Sequence, residues 1–241
     1  MVIAVTSGKG GTGKTSFCCY AGQALAELGY RTVILELDFG LRGLDLMLGM
    51  QDRVVYDLGD VFSGGCDVSK ALIPVDFQPN LVIMAASSFT ERSPSAEEIA
   101  SLCAALRPCY DYILLDMPAG IGFTRKIEGA ADLTLIIVTP DPVCIRDGNR
   151  MVLELGAENT MLVINKVNKR RIVMDRILDL DRVIDGVGVR LLGVVPEDLT
   201  LQSAMIRGKP LPRKSRARQG YQNIAGRLTG RDIPLFAGRV L

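Results

Sequence analysis

Residues 8–15 read Gly-Lys-Gly-Gly-Thr-Gly-Lys-Thr, between an apolar run, Val2–Thr6, and a helix-prone stretch, Lys14–Leu28. Every fixed position of the pattern G-x-x-x-x-G-K-[S/T] is filled, in the strand–loop–helix setting that gives the pattern its meaning. Glycines let the backbone curl until several N–H groups converge on phosphate oxygens, and the following helix adds a positive dipole end. Gly8, Lys9, Gly10, Gly11, Thr12, Gly13, Lys14, Thr15 and Ser16 are therefore predicted to cradle phosphate. Lys14 is predicted to reach the β- and γ-phosphates and the Thr15 hydroxyl to hold Mg²⁺.

A loop of this kind needs a buried strand before it and a sheet around that strand. Further apolar, β-branched runs supply one: Val33–Leu37, Leu81–Ala85, Tyr112–Asp116, Leu133–Val138, Met161–Ile164 and Leu191–Val195. They are apolar almost throughout, as strands covered on both faces are. Helix-prone stretches separate them: Ala96–Leu106, Pro142–Leu155, Met174–Leu180, Leu201–Arg207 and Ser215–Leu228. Gly29 reads as a C-terminal cap, and Ser95 with Glu98 as a capping box. The alternation predicts an α/β fold, a single doubly wound, mostly parallel sheet flanked by helices. At 241 residues, 48% hydrophobic and 23% charged, the chain is long and apolar enough for one ordered domain, 1–241.

Composition removes several chemistries. There is no histidine, so imidazole catalysis and His-ligated metal sites are excluded. The six cysteines form no C-x-x-C pair and read as free thiols. The net charge of +1 hides an asymmetry: residues 207–241 carry +8 and the first 206 residues −7. That basic end is either a surface for anionic lipid or nucleic acid, or a solvated helix face. The sequence has no 18-residue uncharged apolar run, and the strand-like run from Val2 starts at once with no basic leader, so the expected location is cytoplasmic.

Two carboxylates stand where such a sheet places its ligands. Asp38 follows the second strand, positioned to hold an attacking water or a Mg²⁺-bound water. Asp116 ends the apolar run Tyr112-Ile-Leu-Leu-Asp, a Walker B pattern, and is predicted to bind Mg²⁺ mostly through water.

Lys9 inside the loop gives the form K-G-G-x-G-K-T, which resembles the deviant Walker A ATPases of the MinD/ParA family. The stretches D-F-G-L-R-G-L-D-L-M-L-G from Asp38, R-V-V-Y-D-L from Arg53 and D-M-P-A-G-I from Asp116 narrow the resemblance to its MinD branch. Arg146–Arg150 and Gly193–Asp198 extend it, in order, over residues 2 to about 210. The resemblance implies ATP with Mg²⁺, an ATP-dependent homodimer in which Lys9 reaches the partner's phosphates, and slow hydrolysis quickened by an activating protein. It implies catalytic roles for Lys9, Lys14 and Asp38, with Thr15, Asp38 and Asp116 around the metal. Asp147 is expected to hold Lys9 when no partner is present, and Asn165, Pro196, Glu197 and Asp198 to contact adenine. The implied task is placement of the cell-division site, switched on by ATP at the inner face of the membrane and reset by hydrolysis.

A ParA-type DNA-partitioning ATPase is the second reading; the basic stretch 207–218 permits it and the D-F-G-L-R segment argues against it. A cluster-carrying reductase would need a cysteine soon after Asp116, and the next is Cys144. Three departures stand out. Glu36 replaces the usual Asp, which is expected to alter Mg²⁺ coordination or slow turnover, and Gly43 replaces the usual Asn, which is expected to loosen its segment and alter partner contact. The end of the chain, broken by Gly230, Pro234 and Gly238, has too short an apolar face at Leu235 and Phe236 for firm membrane insertion.

Overall fold

The structure, a computed structural model, describes residues 1–88, 93–174 and 178–235. The strands are β1 (Val2–Thr6), β2 (Thr32–Glu36), β3 (Ile73–Val75), β4 (Gln78–Met84), β5 (Tyr112–Asp116), β6 (Leu133–Val138), β7 (Thr160–Val167) and β8 (Leu191–Pro196). The helices are α1 (Lys14–Glu27), α2 (Leu44–Met47), α3 (Leu58–Ser63), α4 (Val68–Ala71), α5 (Ala96–Leu106) and α6 (Ile121–Lys126). After β6 come α7 (Pro142–Leu155), α8 (Lys169–Val173), α9 (Leu180–Val187), α10 (Leu199–Arg207) and α11 (Arg216–Leu228).

The strands form one sheet in the order β3-β4-β2-β5-β1-β6-β7-β8, parallel except for the antiparallel β3–β4 pair. β1 lies between β5 and β6, and the chain builds one side of it before the other. Such a reversal opens a crevice at the carboxyl ends of the strands, and the glycine-rich loop sits there.

Alternate residues of the central strands serve opposite cores, as the pleat requires. Ile3 and Val5 pack with Phe17, Ile34 and Leu114 under α1, while Val2 and Ala4 pack with Val33, Ile99 and Ile113 under α5. A third core joins β6–β8 to α7 and α9 through Ile136, Ile164, Val183 and Val187. α1 is buried along nearly its whole length, because α11 covers the side turned away from the sheet. Phe17 and Tyr20 meet Tyr221 with ring centroids 6.0 and 5.7 Å apart. Tyr221→Ala should cost about 3–4 kcal/mol of stability in urea unfolding. A loss below about 1 kcal/mol would show that α11 is not part of this core.

The doubly wound sheet agrees with the sequence reading. β1, β5, β6, α5 and α7 have the predicted bounds, and other shared elements differ at their ends by one to three residues. Ser95 and Glu98 form the capping box, and Gly29 follows α1 with φ 94°. Two predictions need correction. The helix expected at Met174–Leu180 instead runs from Leu180 to Val187, with Asp179 accepting from Arg182 N at its start and Gly188 left-handed at its end. Those two caps outweigh the weaker apolar pattern upstream, where 175–177 lie outside the described residues. β3 was absent from the strand set because it is three residues long and contains Pro74, which an edge strand tolerates. Phe236 and Arg239 lie outside the described residues. Among the described residues no helix is long and apolar enough to cross a membrane.

Candidate phosphate-binding site

The loop after β1 turns back on itself through two left-handed glycines, Gly11 (φ 79°) and Gly13 (φ 97°). A Cβ on Gly13 would run into the Asn165 amide, and one on Gly8 would lie 2.5 Å from Asp147 Cβ. α1 begins at Lys14 without a side-chain cap and without an acid in its first turn. Its first amides are thus left for an anion. Above them opens a cavity of about 820 Å³, lined by loop residues, Asp38, Asn165, Lys166 and the Pro196–Asp198 turn, with Leu41, Met47, Leu201 and Met205 as an apolar wall.

The charged groups converge beneath this cavity. Lys14 is only 7% exposed, and Asp38 stands half-buried just past β2. Burial pushes the Asp38 carboxyl up, and the Lys14 ammonium pulls it back. Asp116 is fully buried, and neither carboxylate oxygen has a hydrogen-bond partner. Burial raises it to about 7, against the pull of the Thr15 hydroxyl and of Lys14; Glu36 and Asp38 add to the rise. The Thr15 hydroxyl is close enough to act on it but makes no hydrogen bond of good geometry. Unpaired buried carboxylate oxygens are costly, so this pair of groups fits a hard cation. Among the described residues no three carboxylates or thiols cluster as a metal cage.

Lys9 points away from the cradle. Its Nζ lies 3.3 Å from Asp141 Oδ1, with about 40% of both side chains exposed. Asp141 caps α7 through Cys144 N and also accepts from the Thr139 hydroxyl at 2.6 Å. Burial alone would raise Asp141, but these bonds and Lys9 outweigh it and hold the carboxyl at about 2. Asp147 does not hold Lys9, contrary to expectation. It accepts from Arg146 at 3.0 Å and lies against Gly8, while Lys9 Nζ reaches the helix cap, Asp141, instead.

The remaining predicted residues meet the cavity with part of their bonding capacity already used. Asn165 donates from Nδ2 to Thr12 O at 2.8 Å and accepts from Lys166 N at Oδ1. Ser16 Oγ donates to Gly13 O. Asp198 caps α10 and accepts from Ser215 Oγ and Ala217 N, so its carboxylate is not free for a base. Glu197 accepts from Asn168 at 2.8 Å.

Glu36 is taken up by backbone amides. Its carboxylate is 1% exposed and accepts from Gly43 N at 2.7 Å, Leu44 N at 2.9 Å and Ala86 N at 3.1 Å. It braces the segment carrying Asp38 rather than facing a metal, since its longer arm spans from β2 to the start of α2. Gly43 is therefore anchored, not loosened, by the bond from its N–H to Glu36. Asp141, Lys166 and this role of Glu36 were missed. Only Asp141 left a local signal, the Asp-Pro start of a helix.

A family model described as the CobQ/CobB/MinD/ParA nucleotide binding domain matches residues 3–211. The septum site-determining protein MinD of Synechocystis sp. is 37% identical over 98% of this chain and 91% of that protein. The MinD of the Aquifex aeolicus MinC:MinD cell division complex superposes with a TM-score of 0.89 at 34% identity, covering 97% of this chain and 98% of that one. The Pyrococcus horikoshii MinD complexed with Mg-ADP gives 0.83 at 25% identity over 94% and 95%. With the family model matching most of the chain, and these relatives and structures covering nearly all of it, the chain belongs to the MinD group of cell-division site-determining ATPases within the MinD/ParA nucleotide-binding family.

Proposed function

We propose that this chain, read as one unit over 1–241, is a Mg-ATP-driven dimerisation switch that controls attachment to an anionic membrane and to a protein partner. The observation that carries the reading is Lys9: a cation inside the loop, paired outward with Asp141 rather than turned into the cradle. Exchanging Asp141 for a second copy's phosphates would make dimerisation depend on the γ-phosphate. The Mg-ADP complex of the Pyrococcus relative and the MinC complex of the Aquifex relative support the nucleotide and the protein partner.

Within the site, the loop amides and Lys14 hold the phosphate chain and offset its charge. Thr15 and Asp116 would hold Mg²⁺, which would supply positive charge to offset that of the phosphates. Asp38 orients a water for in-line attack, and Lys9 from the partner steadies the charge that develops. Asn165 keeps one amide hydrogen for the base, and Pro196, Glu197 and Asp198 form the wall beside it. Basic residues from Arg207 onward draw the dimer to anionic lipid. The protein is then cytoplasmic and peripheral at the membrane.

Native mass by size exclusion, with ATP and with ADP, tests this on the parent and on Asp38→Ala, each with anionic vesicles. The expected result is a dimer only with ATP, persistent in Asp38→Ala, and vesicle binding by that dimer alone. Dimers that ignore vesicles but bind duplex DNA, with steep loss in added salt, would favour the partitioning reading. No change of mass with ATP would overturn the switch.

A further inference from the structure

β7 carries an irregularity that points at the loop. It pairs with β8 as Ile164↔Val194 and then Val167↔Pro196, so two residues on β7 stand against one on β8. The extra residue makes a bulge at Asn165–Lys166. Lys166 has φ 56°, the one non-glycine residue in the left-handed region among the described residues. Backbone strain of this kind persists only where the surroundings impose it.

In a regular strand, Asn165 and Lys166 would project to opposite faces. The bulge sends both to the same place. Asn165 Nδ2 donates to Thr12 O at 2.8 Å, and Lys166 Nζ donates to Gly11 O at 2.7 Å. These are consecutive carbonyls of the phosphate loop. The Asn165 carbonyl oxygen also accepts from Lys166 N at 2.9 Å, which ties the left-handed turn to the same side chain. No peptide in the described chain is cis. In a planar trans peptide the C=O and N–H point in opposite directions. Fixing the Gly11 and Thr12 carbonyls on β7 therefore also fixes where the Thr12 and Gly13 amides point.

We propose that the Asn165–Lys166 bulge is a positioning device that pre-sets two amide donors of the loop, with Lys166 as a residue that sets nucleotide affinity. The inference rests on the loop binding nucleotide phosphates. It assigns Asn165 a second task beside any contact with the base, and gives Lys166 a task where none was foreseen. Preorganised donors raise affinity because no ordering is left to be done on binding.

The experiment compares Lys166→Gly, Lys166→Met and Lys166→Arg with the parent by calorimetric titration of Mg-ADP, thermal melting without nucleotide, and steady-state hydrolysis of Mg-ATP. Lys166→Gly and Lys166→Met should each weaken Mg-ADP about tenfold, the loss of one charged hydrogen bond. Lys166→Arg should stay within about threefold of the parent, since a cation still reaches the carbonyl. Hydrolysis should show the loss mainly in KM, with kcat changed less than about threefold. Empty Lys166→Gly should melt no lower than the parent, because glycine takes φ 56° freely. Better or equal folding with poorer binding is a pair of effects that a merely structural lysine would not give. Affinity within twofold of the parent in both Lys166→Gly and Lys166→Met would overturn the proposal, as would a loss confined to kcat. Lys14→Ala separates the two levels. If it binds Mg-ADP like the parent, the phosphate-loop reading itself fails; if it does not bind while the Lys166 variants do so normally, only the positioning role fails.

Discussion

Asp116→Asn is expected to stabilise the nucleotide-free protein while removing its hydrolysis. The carboxyl is fully buried with both oxygens unpaired, and burial lifts it from 3.8 to about 7. Between those values the folded chain keeps a proton that the unfolded chain has lost. Folding takes up that proton, so stability falls as pH rises through the window. Above about pH 7 the full cost is present, at most ~4 kcal/mol for a shift of this size. Asparagine carries no charge to bury. The variant should melt roughly 5–10 °C higher than the parent at pH 8, with the gap closing towards pH 4. Hydrolysis should drop about a hundredfold or more, because the carboxylate proposed to hold Mg²⁺ through its water is lost. An asparagine variant that melts lower at pH 8 would show that Asp116 is not strained when empty, and one that still turns over Mg-ATP would show that it is not needed when loaded.

Removing the Glu36 brace should act in the opposite sense on stability. Glu36→Leu leaves the amides of Gly43, Leu44 and Ala86 without their acceptor. Each buried orphan donor costs about 1–3 kcal/mol, so a total loss of at least ~3 kcal/mol is expected in urea unfolding. Glu36→Gln is the finer probe. Its oxygen can serve Gly43 and Leu44, but its NH₂ then faces the Ala86 N–H, donor against donor. A loss of about 1–2 kcal/mol follows. Because the braced segment includes Asp38, hydrolysis should fall with kcat while Mg-ADP affinity stays near the parent's. Glu36→Gln with unchanged stability and unchanged kcat would show that the three bonds do not govern the segment.

What the sequence revealed follows from how local each signal is. The phosphate loop is contiguous, so glycines, lysines and threonine announce it within eight residues. Asp116 ends an apolar run of its own strand, and that run with the loop was enough to place it. Asp38 gained its meaning from its place after β2 and from resemblance. The contacts that escaped join residues far apart in the chain: Lys9 to Asp141 over 132 positions, Lys166 to Gly11 over 155, Glu36 to Ala86 over 50. Each depends on which strands are neighbours, and strand order is set by packing of the whole sheet. Asp147 shows the same limit. Its motif was recognised, but the turn of α7 that meets the loop was fixed only when β6 came to lie beside β1. The short helices α2, α3, α4 and α6 span four to six residues, too few for a period to show.

The burial of α1 has a further consequence. The helix is enclosed between sheet and α11, and Gly22 brings it so close that a Cβ there would sit 2.9 Å from Ile34 Cδ1. The floor on which phosphate rests therefore cannot tilt or slide without breaking the largest core of the molecule. Any motion that admits nucleotide or releases product is expected in the walls: the segment from Asp38 to Arg42, ahead of the Glu36 brace, and the turn at Pro196–Asp198. A family built on this frame can change its pace and its partners by editing walls alone. Changes to the floor would be felt first as a failure to fold.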